Sequence, residues 1–284
     1  MTVWIHAAPG RPSVATMLPA LAYSLAGTLA RALPEAWSHR TARLCGRLAH
    51  WLRLPARRTL EANLVRLGPL TPSQIDSRSR ETFEQFAVSV ADFLRLDTLT
   101  PEELAQRVEI RGGEHLEAAR ASGRGCVLMS VHSGNWEWGA ARLALQGVPM
   151  RLLARPHPSP LVERLFNRRR EAWGVRALRG APLWLATTRA LRRGEWVAVM
   201  GDRAVPELRG SLCLWAGALA RRSGALLLPV AMTREPGGRH VLWCDAPVSD
   251  TTAREGGIRA ALLKHLGRSP GQWYAFEPLP EGLA

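Results

Sequence analysis

Apolar residues recur at helical spacing through the first third of the chain and in short blocks through the rest. Residues 18–32 predict one helix. Residues 37–54 predict a second, with Trp37, Ala42, Leu44, Leu48, Trp51 and Leu52 interleaved with Arg40, Arg43, Arg47 and Arg53. Recurrence near 3.6 with arginines on the opposite side makes this an amphipathic basic helix. Such a helix docks on a membrane surface or a partner, or packs on the main domain with its basic face in water. A third helix runs from Pro55 to Leu67, a turn follows at Pro69 and Pro72, and residues 73–96 predict a fourth. The apolar side of the fourth, with Phe83, Phe86, Val90, Phe93 and Leu94, reads as core.

From about residue 106 the pattern changes. Apolar runs at 126–131, 150–154, 196–200, 225–232 and 240–244 read as strands, and Pro236-Gly237-Gly238 reads as the turn between the last two. Helical stretches at 136–145, 160–173, 183–192, 218–222 and 258–266 lie between or after them. Strand–helix alternation predicts an α/β fold: a mixed, mostly parallel sheet flanked by helices, with the N-terminal helices packed on it. The expected organisation is a helical, membrane-associating region over 1–105 and an α/β core over 106–284, integrated as one domain.

Charge adds a constraint on partners. The 284 residues hold 38 basic and 24 acidic side chains, a net of +14, and every basic residue except Lys264 is arginine. Such a surface attracts phosphates and carboxylates: nucleic acid, anionic lipid or an acidic carrier protein. The arginines are spread along the chain and no nucleic-acid motif accompanies them, so nucleic acid is not the expected partner. The composition excludes a disordered chain. Cys45, Cys126, Cys213 and Cys244 are far apart, which argues against a disulfide scaffold or zinc knuckle and for free thiols. His115, His157, His240 and His265 show no ligand spacing relative to His132, so no metal centre is expected.

No secretory signal fits the first residues. Residues 12–30 carry no charge, but contain Pro12, Pro19, Ser24, Gly27 and Thr28. A spanning helix needs about 20 predominantly apolar residues. This stretch therefore reads first as a helix lying on or dipping into a bilayer, with a single short span as the alternative.

The chemistry concentrates where the 126–131 strand ends. His132 is followed by a Ser133-Gly134-Asn135 turn and a helix that begins near Trp136 and holds Glu137 in its first turn. On one continuous helix five residues rotate by about 500°, leaving His132 and Glu137 about 140° apart. They can meet only if the chain turns sharply between them, and Gly134 and Asn135 are residue types that permit it. A carboxylate beside a histidine fixes the imidazole tautomer and leaves the other nitrogen free to take a proton from a hydroxyl.

The string His132-Ser133-Gly134-Asn135-Trp136-Glu137 resembles the H-x-G-N-W-E signature of the bacterial lipid A lauroyl/myristoyl acyltransferase family, part of the lysophospholipid acyltransferase group marked by H-x4-D/E. Other pieces occur in the family's order. Arg58 to Leu64 is similar to its R-x-x-x-x-N-L helix, and Gly113-Glu114-His115-Leu116 to its G-x-E-H-L. Arg155-Pro156 follows the second strand, Gly201-Asp202-Arg203 a later one, and Ser223-Gly224-Ala225 and Gln272-Trp273-Tyr274 also fit. The resemblance covers about residues 17–277. Two departures stand out. Only residues 203–222 separate Asp202 from Ser223, without the aromatic-Gly-x-Pro element the family usually has there. Arg203 also replaces the glutamine common in the lipid A branch. The ending around Trp273 looks closer to phosphatidylinositol mannoside acyltransferases.

The resemblance implies a glycerolipid acyltransferase-like fold and a membrane-associated O-acyltransferase. The acyl donor would be an acyl-carrier-protein or acyl-CoA thioester, and the acceptor an anionic lipid, lipid A-like molecule or glycolipid. The protein would work at the cytoplasmic face of the inner membrane, without a bound cofactor. It implies His132 as general base and Glu137 as its carboxylate partner, with Gly134, Asn135, Arg155, Asp202 and Arg203 as substrate-binding or site-organising residues. Arg155 would hold a headgroup phosphate or a developing oxyanion, or be one more surface arginine. Asp202 would organise the site or pair with Arg203 at a strand end. A family member that binds lipid without turnover is the alternative suggested by the shortened loop.

Overall fold

Residues 14–154, 156–178, 182–205, 210–248 and 255–279 are described by the structure, a computed structural model. Four helices come first: α1 (Val14–Ala32), α2 (Glu35–Trp51), α3 (Pro55–Arg66) and α4 (Pro72–Arg95). Prolines set their starts. Pro34 precedes α2, Pro55 opens α3, and Pro72 opens α4 behind a Thr71–Gln74 capping box. Gly46 lets α2 lie against α4, since a Cβ there would meet the Phe83 carbonyl oxygen at 2.6 Å.

Part of the apolar surface of this helical region faces outward. Met17, Leu21, Leu25 and Leu29 recur every fourth residue on α1 and are each about half exposed. Trp37, Leu44, Leu48 and Trp51, spaced by seven, four and three residues on α2, are exposed as well. Arg40 lies over the Trp37 ring, with its guanidinium carbon 5.2 Å from the centroid. Among the described residues, no helix is long and apolar enough to cross a membrane.

The α/β part then follows. α5 (Pro101–Arg107), β1 (Val108–Arg111) and α6 (Gly113–Ala121) lead into β2 (Cys126–Ser130), α7 (Trp136–Ala144), β3 (Met150–Leu152) and α8 (Pro160–Ala172). β4 (Arg176–Ala177), α9 (Leu183–Arg192) and β5 (Trp196–Met200) come next, then the short antiparallel pair β6 (Ala204–Val205) and β7 (Gly210–Ser211). α10 (Leu212–Ser223), β8 (Leu226–Arg234), β9 (His240–Cys244) and α11 (Glu255–Arg268) complete it. The main sheet has seven strands in the order β1-β9-β8-β2-β5-β3-β4. Among the described residues its only antiparallel pairing is the β8–β9 hairpin, so the sheet is mixed and mostly parallel, as the strand–helix pattern predicts.

Both faces of the sheet are covered. Along β2, Val127 and Met129 enter one core with α9, α10 and α11, while Cys126 and Leu128 enter the other with α6 and α7. A strand buried on both faces reads as an unbroken apolar run, which is why 126–131 stands out in the sequence. Leu60, Leu64 and Phe83 of α3 and α4 pack in the same core as Val127 and Val199, so these helices share the core of the sheet.

A buried ion cluster adds a polar tie. Asp92 on α4 lies 2.6 Å from His39 Nε2 on α2 and accepts from Arg234 on β8. Burial alone would raise the Asp92 carboxyl, but His39 and Arg234 hold it below the usual carboxylate range.

Candidate active site

β2 and β5 are parallel neighbours in which Ser130 faces Met200. Two residues beyond each of these positions stand His132 and Asp202, so the register brings them side by side at the carboxyl edge of the sheet. In open α/β sheets this edge is where ligands bind. His132 Nδ1 lies 2.9 Å from Asp202 Oδ1, and the His132 backbone N–H donates to Oδ2 at 3.1 Å. The Trp273 indole N–H donates to the same Oδ2 at 2.9 Å.

Asp202 is almost wholly buried. Burial pushes its carboxyl up, but the His132 ring, Arg203 and the Trp273 donor outweigh this and hold it at about 2. An ionised carboxylate only accepts, so Nδ1 carries the proton and donates it to Asp202. Nε2 is then the free, basic nitrogen, on a side chain that keeps 19% of its exposure. Arg203 Nε lies 3.2 Å from Nδ1. Because that nitrogen already carries a proton, the contact places a positive charge beside the ring and adds no second hydrogen bond. The Arg203 guanidinium is held by the Tyr274 carbonyl at 3.1 Å and lies 3.7 Å from Glu277.

The expected His132–Glu137 pair is replaced by this one. Glu137 is buried in the first turn of α7, and Arg170 of α8 grips its carboxylate through two nitrogens at 2.9 and 2.5 Å. The guanidinium stays firmly protonated: burial lowers it, but the Glu137 charge and hydrogen bond raise it further. The reason lies in the backbone. The turn after β2 starts α7 with Glu137 directed at α8, while the sheet supplies His132 with a carboxylate from the adjacent strand. Glu137 therefore ties α7 to α8.

Gly134 and Asn135, expected at the substrate, build the turn itself. Gly134 has φ +54°, and a Cβ there would meet the Met232 carbonyl oxygen at 2.5 Å. Asn135 is buried and caps α7, its side chain accepting from the Trp138 N–H at 3.2 Å. Arg155 lies outside the described residues. Two residues emerge that the sequence reading did not assign. Arg170 is hidden in the run Arg168-Arg169-Arg170, where nothing marks one arginine above its neighbours. Trp273 lies in the Gln272-Trp273-Tyr274 string, to which the resemblance attaches no role.

An apolar cavity of about 500 Å³ opens between α1, α2, α4 and Phe276, with Tyr23, Leu33, Ala42, Phe83 and Leu94 among its walls. Aromatic rings lead from it to the histidine. Phe86, which lines the cavity, packs on Tyr274 at 5.2 Å between centroids. Tyr274 lies 5.8 Å from Trp136, and Trp136 lies edge-on to His132 at 5.2 Å.

The chain is 25% identical to a phosphatidylinositol mannoside acyltransferase of Mycobacterium tuberculosis, over 94% of this chain and 90% of that one. It is 27% identical to a lipid A biosynthesis lauroyltransferase of Escherichia coli, over 63% of this chain and 65% of the other. Among solved structures, the 1-acyl-sn-glycerophosphate acyltransferase of Thermotoga maritima matches with a TM-score of 0.40 and 13% identity, covering 83% of this chain and 99% of that one. The family model for bacterial lipid A biosynthesis acyltransferases matches residues 15–273, and with it this chain belongs to that family of acyltransferases.

Proposed function

We propose that this acyltransferase moves a fatty acyl group from an acyl thioester, on a carrier protein or coenzyme A, to a hydroxyl of a glycolipid or lipid A-like acceptor, with His132 as the general base. The observation that carries this reading is the His132–Asp202 pair: a buried, ionised carboxylate fixes the Nδ1–H tautomer and leaves Nε2 free at the carboxyl edge of the sheet. The acceptor hydroxyl gives its proton to Nε2 as its oxygen attacks the thioester carbonyl. Asp202 stabilises the imidazolium that forms. The tetrahedral intermediate then collapses, the C–S bond breaks, and the departing thiolate takes the proton from Nε2. Because the nucleophile belongs to the acceptor, no serine or cysteine of the protein forms a covalent intermediate.

The surroundings suit lipid substrates. The cavity between α1, α2 and α4 has the apolar lining an acyl chain requires. The exposed leucines and tryptophans of α1 and α2, flanked by Arg40, Arg47 and Arg53, suit peripheral docking on an anionic bilayer. This supports a place at the cytoplasmic face of the inner membrane.

The test compares lipids, by mass spectrometry, from a host lacking the protein, the host with wild type and the host with His132→Ala. A lipid that gains one acyl chain only with wild type supports the reading and names acceptor and chain together. The same lipid made by a folded His132→Ala protein overturns the role of the base. In the same cells, Leu44→Ser combined with Leu48→Ser is expected to move the protein from the membrane to the soluble fraction. Retention at the membrane would count against docking through α2.

A further inference from the structure

We propose that Trp273 is a positioning residue for acyl transfer, its indole N–H holding the Asp202 carboxylate in the orientation that presents one oxygen to His132. This rests on the reading of His132 as the base. The two carboxylate oxygens have separate tasks. Oδ1 accepts from His132 Nδ1, while Oδ2 accepts from the His132 backbone at 3.1 Å and from Trp273 at 2.9 Å. A partial rotation about Cβ–Cγ would swing both oxygens out of line and misdirect the lone pair that orients the imidazole. The indole, bonded to Oδ2, opposes that rotation.

The indole is itself held in place. Trp273 has no exposed surface. Its segment lies along the motif turn: Gly134 N–H donates to the Gln272 carbonyl at 3.4 Å, Tyr274 N–H to the His132 carbonyl at 2.8 Å, and Ser133 and Trp273 form an antiparallel bridge. On the other side, the Gln272 amide pairs with the backbone N–H and C=O of Arg234, both at 2.7 Å. The segment thus connects β8 to the turn that carries the base.

The choice of acceptor separates this indole from its neighbours. A buried indole N–H usually finds a hydrogen-bond acceptor. Trp138 donates to the Asp92 backbone carbonyl and Trp243 to the Thr233 hydroxyl. Trp273 donates to a buried ionised carboxylate, a charge-assisted bond about twice as strong as a neutral one.

The test removes the N–H and keeps the ring. One variant is Trp273→Phe. A second carries the benzothiophene isostere of the indole at position 273, which preserves the packing volume should the phenyl ring leave a cavity. Each is measured alone and combined with Asp202→Asn, with kcat, KM for donor and acceptor, melting temperature, and the low-field proton resonance of the His132 Nδ1–H. The isostere is expected to lower kcat about tenfold to a hundredfold with KM and melting temperature nearly unchanged, and to shift the low-field resonance. Added to Asp202→Asn, it is expected to cost nothing further, since the group it acts through is gone. Unchanged kcat with an unmoved resonance, or an equal additional loss on top of Asp202→Asn, overturns the proposal. An inactive wild type would strike the proposed reaction instead, and the resonance would still report whether the indole orients the pair.

Discussion

Two carboxylates lie within the signature and its surroundings, both buried and both bonded to a nitrogen base. Glu137 meets Arg170 across two helices, α7 and α8. Asp202 meets His132 across two neighbouring strands. The first contact joins a permanent cation to an anion and moves no proton. The second joins an anion to a group that gains and loses a proton, so it can take part in a reaction. Short sequence spacing ties His132 to Glu137, whereas sheet register ties it to Asp202, and the register decides the pairing.

This contrast can be broken by exchanging charges for neutral isosteres. Asp202→Asn is expected to have the largest effect on turnover, about a thousandfold or more in kcat, because the imidazole loses both its tautomer and the charge opposite it. A loss below about tenfold would move the partner role elsewhere. Glu137→Gln is expected to act mainly on stability. It leaves the buried Arg170 without its paired carboxylate, at a cost of up to about 3–5 kcal/mol, read as a lowered melting temperature. Glu137→Leu with Arg170→Met should recover most of it. Should Glu137→Gln keep full stability and lose turnover as severely as Asp202→Asn, the division between the two sites would fail.

The smallest effect concerns acid. Asp202 is held at about 2, below its unfolded value of about 3.9. Its contribution, about 2–3 kcal/mol, is fully present above about pH 5 and is lost progressively as pH falls toward about 1, since the unfolded chain binds the proton first. Acid titration of stability should therefore be shallower for Asp202→Asn than for wild type in that window. Identical slopes would mean that the carboxylate is not held by its partners.

What could be read from the sequence divides along the same line. His132 is legible because an unbroken apolar run ends at it and a turn follows. The four N-terminal helices are legible from periodicity and prolines, although α1 begins at Val14 rather than residue 18. β1 escapes because Val108–Arg111 is a half-buried edge strand that alternates apolar and charged residues over only four positions. β4 has two residues and no pattern to detect. α10 starts at Leu212 rather than 218, since its first turn directly follows β7 with no loop to mark it. Asp202 was placed near the site by resemblance, but its partner was not legible. Nothing local in either segment records which strands become neighbours.

The strap formed by Gln272, Trp273 and Tyr274 also bears on how the protein is made. Synthesis runs from the N-terminus, so β2, β5, His132 and Asp202 leave the ribosome well before residue 273. Until then Oδ2 of Asp202 lacks its indole donor and the His132 turn lacks its backbone partners on that side. Competence for acyl transfer is therefore among the last properties the nascent chain acquires. A chain interrupted just short of the strap would carry the signature hexapeptide with its geometry unfinished.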